Sequence, residues 1–204
     1  STAEAIASAV ETARAHPTLN LVGLEVPAAP GKAHEVVTQL RHHLPDDVKA
    51  FVEISREGDV HTDLAALRDT GHSAKFRTGG VKAEAHPTET ELAALLSAAV
   101  TAELPYKCTA GLHHAVRHTT AEGFEQHGFL NVLLATAALL DGADVEETAR
   151  VLADRDGPAL ARAADALDDN DAADVRATFR SFGTCSIDEP LEDLTVLGVL
   201  PTTR

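Results

Sequence analysis

The chain has 204 residues, 44% of them hydrophobic and 24% charged, which is enough to bury a substantial core as one domain. Its formal net charge of −15 speaks against nucleic acid or an anionic membrane as the main partner. Cys108 and Cys185 are too few for a disulfide framework, no secretory signal opens the chain, and the longest apolar run, "FLNVLLATAALL", is too short for a bilayer, so a cytoplasmic protein is expected.

The first stretch, "STAEAIASAVETARAH", carries a helix N-terminal signal, Ser1 or Thr2 followed by Glu4. With no methionine anywhere, it reads as the later part of a longer protein or a processed product. "LNLVGLEVP" (19–27) has β-type patterning, and "AHEVVTQLRHHL" (33–44) spaces its apolar residues as an amphipathic helix does. "VKAFVEIS" (48–55) predicts a second strand, followed by a helix through "DLAALRDTG" that Gly71 stops. "SAKFRTGG" (73–80) predicts a third strand. "TETELAALLSAAVTAEL" (88–104) predicts a helix opened by a capping box from Thr88 to Glu91. "YKCTAGLHH" is the fourth strand, and a helical insertion with a break near "DRDGPA" spans 128–178. "RSFGTCSI" (180–187) is the fifth strand and "PLEDLTVLGVL" a short closing helix.

Alternating strands and helices joined by short links predict parallel strands with right-handed crossovers. No Gly-rich phosphate fingerprint follows the first strand, which lowers the nucleotide-binding open sheet. The fold expected is therefore α/β, a single domain over 1–204 built as a TIM-type (β/α) barrel or partial barrel with about five parallel strands. Full barrels need about 250 residues, so five strands would be the last five of eight.

Residues two apart on a strand share a face. Lys75, Arg77 and Gly79 then point one way from the third strand, and Lys107, Thr109, Gly111 and His113 share a face of the fourth. Glu53 lies with Phe51 and Ser55, and Glu25 faces away from Leu24 and Val26. Four successive strands thus offer a charged group near the C-terminal end, where α/β folds build their sites. A single charged strand residue is usually an end group reaching water. Four together point to a pocket or to an ionic network, because an unpaired buried charge costs several kcal/mol.

Only five lysines occur against twelve arginines, and two of the five, Lys75 and Lys107, sit inside strand patterns. A lysine among other cations in a partly dry pocket has a lowered pKa and becomes an amine nucleophile able to form a Schiff base. Glu53 or Glu25 would move protons, and Arg77 would suit a carboxylate or phosphate. Strand alternation sets His113 over Lys107 as a further acid or base.

"VKAFVEIS…AKFRTGG…YKCTAGLHH…FGTCS" resembles the second half of the deoxyribose-phosphate aldolase type of class I aldolase barrel. The resemblance covers roughly residues 48–112 and 181–187. It implies Lys75 as the Schiff-base lysine, Lys107 as the second lysine that depresses its pKa, and Gly183, Thr184 and Ser186 as a phosphate turn. Arg77 stands where that family has a small residue, and "AGLHH" replaces its glycine pair. The chain also resembles uncharacterised bacterial proteins with K-x-R-T-G-G and K-x-T-A-G-L-H-H segments, which bring no activity with them.

The functional expectation is a carbon–carbon lyase of the aldolase type, needing no cofactor. It would act on a small anionic metabolite carrying a carbonyl, with Lys75, Lys107, Glu53 and His113 catalytic. Arg77, Glu25, Thr109, Gly79, Gly80, Gly183, Thr184 and Ser186 would bind substrate. One alternative is a metal-dependent lyase, isomerase or hydrolase in which His113, His114 and His118, with His127 nearby and the glutamates, hold Zn²⁺ or another divalent ion, although their spacing matches no tight metal signature. The other is a non-catalytic barrel that holds a small anion. A homo-oligomer, or a missing N-terminal segment that carries the other strands, is also expected. Cys108 and Cys185 read as small packing residues, "DALDDNDAADVR" as a solvated helix junction, and Asn131 as a core hydrogen-bonding residue.

Overall fold

A computed structural model describes residues 2–201; Ser1, one of the two residues expected to open the first helix, lies outside them. Helix α1 runs Thr2–Ala15 and precedes strand β1 (Gly23–Pro27), helix α2 (Ala33–His43), β2 (Lys49–Glu53), α3 (Val60–Ala65) and β3 (Ser73–Arg77). A single 3-10 turn at Ala83–Ala85 leads to α4 (Glu89–Thr101) and β4 (Tyr106–Thr109). A two-stranded antiparallel hairpin follows, β5 (His118–Thr119) with β6 (Glu125–Gln126). Then come α5 (Phe129–Leu140), α6 (Val145–Ala153), α7 (Gly157–Asp165), α8 (Asp169–Thr178), β7 (Phe179–Phe182) and α9 (Asp188–Val196).

The main sheet is parallel and its strands stand in chain order, β1-β2-β3-β4-β7. Right-handed crossovers between strands in sequential order all fall on the same side. The alternation agrees: Val26, Ala50, Val52, Ala74, Phe76, Tyr106, Cys108 and Phe179 are buried in one core with helical residues such as Val36, Leu64, Leu92, Leu96 and Val132. Tyr106 stacks obliquely between Phe76 and Phe179 and shares a hydrogen bond with Thr136 Oγ1 of α5. The opposite face carries the ionic side chains. The sheet is α/β and parallel as expected, but among the described residues it does not close on itself, and β1 and β7 are its edges.

Local chemistry explains most element ends. Thr88 and Glu91 form the anticipated capping box on α4, and Asp144 with Glu147 forms a second one on α6. The insertion expected over 128–178 is four helices, broken at residues 154–156, where Asp156 caps α7 with Pro158 in its first turn. Asp63, buried at 2% exposure, accepts hydrogen bonds from the backbone N–H groups of Gly31 (2.8 Å) and Ala33 (3.1 Å), so α3 supplies the anion at the start of α2. No helix among the described residues is long and apolar enough to cross a membrane.

All five strands are shorter than their patterns, and the fifth, expected over 180–187, is confined to Phe179–Phe182. The first begins at Gly23 rather than residue 19, leaving Leu19 and Val22 exposed. The fourth ends at Thr109 because Ala110 and Gly111 take positive φ angles of 65° and 81°, which turn the chain out of the sheet. Thr78 Oγ1 anchors this turn by donating to the carbonyls of Thr109 (3.1 Å) and Ala110 (2.6 Å). Strand alternation therefore does not reach His113, and the reason for expecting it over Lys107 is corrected: the residue belongs to the loop after β4.

Candidate functional site

Register assembles the ionic groups. Glu53 stands beside Lys75, Lys75 beside Lys107, and Lys107 beside Ser181, forming one row across β2, β3, β4 and β7. Arg77 pairs with Thr109 one step nearer the C-terminal ends, and Glu25 pairs with Phe51 one step nearer the N-terminal ends.

The side chains join this grid into a continuous ladder. Lys75 Nζ donates to Glu25 Oε2 (2.7 Å) and Glu53 Oε2 (2.9 Å). Glu53 also receives Arg77 through Nε (2.9 Å) and Nη2 (3.3 Å), a two-pronged contact. At the other end Lys107 donates to Glu25 Oε1 and lies 5.4 Å from the centroid of the Phe51 ring. The order is Lys107–Glu25–Lys75–Glu53–Arg77, three cations spaced by two carboxylates.

Glu25 and Lys107 belong to strands three spacings apart, about 14 Å on a flat sheet. Side chains that stand off perpendicular to the sheet meet across such a span only when the sheet curls toward the face that bears them. The ladder therefore marks a concave face. The lysine side chains are deep in it, 10% exposed for Lys75 and 13% for Lys107.

The charges set one another's protonation. Burial pulls the Lys75 ammonium down, but its hydrogen bonds and charge interactions with Glu25 and Glu53 outweigh this and hold its pKa above the ordinary lysine value. Burial pushes Glu25 up and is overcome by Lys107 and Lys75; burial pushes Glu53 up and is overcome by Arg77 and Lys75, so both carboxyls sit below their ordinary value. The depressed lysine pKa expected from clustered cations is thus corrected for Lys75, because two carboxylates stand between the cations.

The remaining expected residues form a second group. His113 Nδ1 lies 3.1 Å from Glu189 Oε2 and 3.5 Å from Thr184 Oγ1. His114 Nδ1 lies 3.1 Å from Asp193 Oδ2, which also accepts from the Ala115 N–H at 2.7 Å. Both carboxylates belong to α9, so these histidines fasten that helix to the loop after β4. His118 meets the edge of the His114 ring, and burial followed by the His114 charge lowers its pKa. Among the described residues no group of three or more His, Cys, Asp or Glu side chains is arranged to hold a metal ion. Glu25 and Glu53, the carboxylates expected to complete such a set, spend their oxygens on the ladder cations.

Gly183, Thr184 and Ser186 form a turn at the end of β7. The Gly183 N–H donates to the Cys108 carbonyl (3.0 Å), and a Cβ on Gly183 would lie 3.0 Å from Thr109 Oγ1. The Thr184 hydroxyl donates to the Ser186 carbonyl (2.9 Å), and Ser186 Oγ accepts the Glu189 N–H (3.3 Å) at the entry to α9. Gly79 passes against the Ala110 backbone and Gly80 against Ala85, where a Cβ would meet atoms at 3.1 and 2.7 Å. These glycines serve close chain approach. Thr109 and Gly183 are the seam between the ladder and the α9 group.

A cleft of about 290 Å³ opens beside Glu53 and Arg77 at the C-terminal ends of β2 and β3, with Ser55, Arg56 and Glu57 on its wall. Arg56 had no strand or helix pattern to single it out. Sequence reasoning also missed Arg117, buried with Glu89 (2.6 Å), Glu125 (3.1 Å) and His127 Nδ1 (3.3 Å) as partners. No protein-family model, curated protein or solved structure matches the chain.

Proposed function

We propose that the concave charged face is the active site of a class I aldolase-type carbon–carbon lyase acting on a small anionic carbonyl compound through a lysine Schiff base. One observation carries the reading: two lysines, direct register neighbours on β3 and β4, converge on the two oxygens of a single carboxylate, Glu25. An amine nucleophile needs a proton acceptor within hydrogen-bond reach, and Glu25 is placed to serve either lysine. Arg77 keeps a guanidinium edge free of Glu53, is half exposed and lines the cleft, which suits the anionic end of the substrate. Sequential strand order, same-sided crossovers and the curl toward the ladder support taking the sheet as an arc of a (β/α) barrel wall.

The test is reductive trapping. Protein incubated with pyruvate or with glycolaldehyde phosphate and sodium cyanoborohydride should gain one ligand per chain by intact mass, saturably. No saturable adduct with any of a panel of keto acids and sugar phosphates would refute the reading. A second reading, a small-anion site without turnover, draws on the full pairing of the ladder carboxylates with cations; calorimetric binding of these compounds without any trapped adduct is the result that selects it.

A further inference from the structure

Resting on the Schiff-base reading above, we infer that Lys107, and not Lys75, is the amine that attacks the carbonyl, with Glu25 relaying its protons. This reverses the order of the two lysines implied by sequence resemblance. The reason is their unequal partnership. Lys75 Nζ is clasped between two carboxylates, at 2.7 and 2.9 Å, in the middle of the ladder. To become a neutral amine it must abandon both, and Glu53 would still be held by Arg77. Lys107 is the end of the ladder. Among the described residues its one carboxylate partner is Glu25, and its Nζ lies over the face of Phe51.

Glu25 is also the more open carboxylate, 41% exposed against 19% for Glu53. Its Oε1 faces Lys107 and its Oε2 faces Lys75. One carboxylate thus touches both amines, and its Oε1 is the acceptor placed to take a proton from Lys107. Lys75, clasped by two carboxylates, is then the fixed cation that holds Glu25 in place beside Lys107.

The step balances. Lys107 gives one proton to Glu25, and the neutral Nζ adds to the carbonyl carbon; the C–N bond forms as the C=O π pair moves to oxygen, which takes that proton back. A second proton leaves nitrogen for Glu25 and passes to the hydroxyl, the C–O bond breaks and water departs. One ammonium and one carbonyl become one iminium and one water, Glu25 ends as a carboxylate, and no oxidant or reductant takes part.

The experiment is peptide mapping of the unmodified chain after trapping with pyruvate or glycolaldehyde phosphate and cyanoborohydride. The chain has five lysines, of which Lys32, Lys49 and Lys82 are exposed and serve as internal controls. Label on Lys107 should exceed that on each control at least tenfold, Lys75→Arg should still form the Lys107 adduct, and Glu25→Gln should slow its formation more than tenfold. Label concentrated on Lys75 would overturn this assignment while leaving the Schiff-base reading intact. Label spread evenly over the exposed lysines would overturn both. Mapping the wild-type chain keeps the test free of any variant's folding.

Discussion

A buried histidine shows how one residue turns burial into pH dependence. His127 is 1% exposed; its Nε2–H donates to the Pro87 carbonyl (2.9 Å), which leaves Nδ1 to accept from the Arg117 guanidinium (3.3 Å). Protonating Nδ1 would set a second cation against Arg117 in a dry site. Burial and that neighbour accordingly pull the His127 pKa down from 6.5 to about 4. Because the folded value lies below the unfolded one, the unfolded chain binds the proton first, and stability held above pH 6.5 is lost as pH falls toward 4. Between pH 7 and 5 this one group should cost the wild type about 2 kcal/mol. Urea unfolding at the two pH values should show that loss reduced in His127→Gln, and equal losses in both proteins would contradict the account. The ladder carboxylates, with pKa values already below the ordinary 4.5, act in a separate and lower window.

At the scale of elements, contacts made by backbone leave the least room. Gly128 is the N-cap of α5 at an ordinary φ of −87°, so conformational freedom is not its reason. A Cβ there would stand 2.2 Å from the Ala115 carbonyl oxygen and 2.5 Å from Asn131 Oδ1, the atom that accepts the Arg117 N–H. Gly128→Ala should therefore destabilise the fold by about 4 kcal/mol or more, read as loss of the cooperative urea transition or of soluble protein. Contacts of this kind could not be read in the sequence, whereas rules acting within one turn could. The Thr88–Glu91 capping box, the apolar α5 helix and the break before Pro158 were legible because their partners are three or four residues apart. The charged alternation on β2, β3 and β4 was legible because it too is local, with residues two apart sharing a face. What was not legible is long-range: Glu25 meets Lys107 across 82 residues, and Asp63 meets Gly31 across 32. The pattern "YKCTAGLHH" reads longer than the strand because Ala110 in a left-handed conformation carries no composition signal, and His113 falls in the loop that follows. The direction of the Lys75 pKa is not legible either, because alternation shows which groups share a face, and side-chain reach decides which of them touch.

For the whole molecule, two electrostatic systems coexist and respond differently to salt. The surface carries most of a formal charge of −15, a self-repulsion that opposes the compact state. The ladder carries paired charge in a concave face, three cations to two carboxylates, with lysine side chains 10% and 13% exposed. Salt shortens the Debye length from about 10 Å at 0.1 M to about 3 Å at 1 M, which quenches repulsion between exposed charges and leaves buried pairs far less affected. Raising potassium chloride from 0.05 to 1 M should thus stabilise the protein, lifting the melting temperature by roughly 3 °C, the equivalent of about 1 kcal/mol at this chain length. A scanning calorimetry series would check it. A melting temperature that fell with salt would mean that exposed ion pairs such as Arg14–Asp47 and Lys32–Glu35, which exposed geometry makes worth little, outweigh the net repulsion, and that the acidic surface is matched more closely by its cations than the formal charge implies.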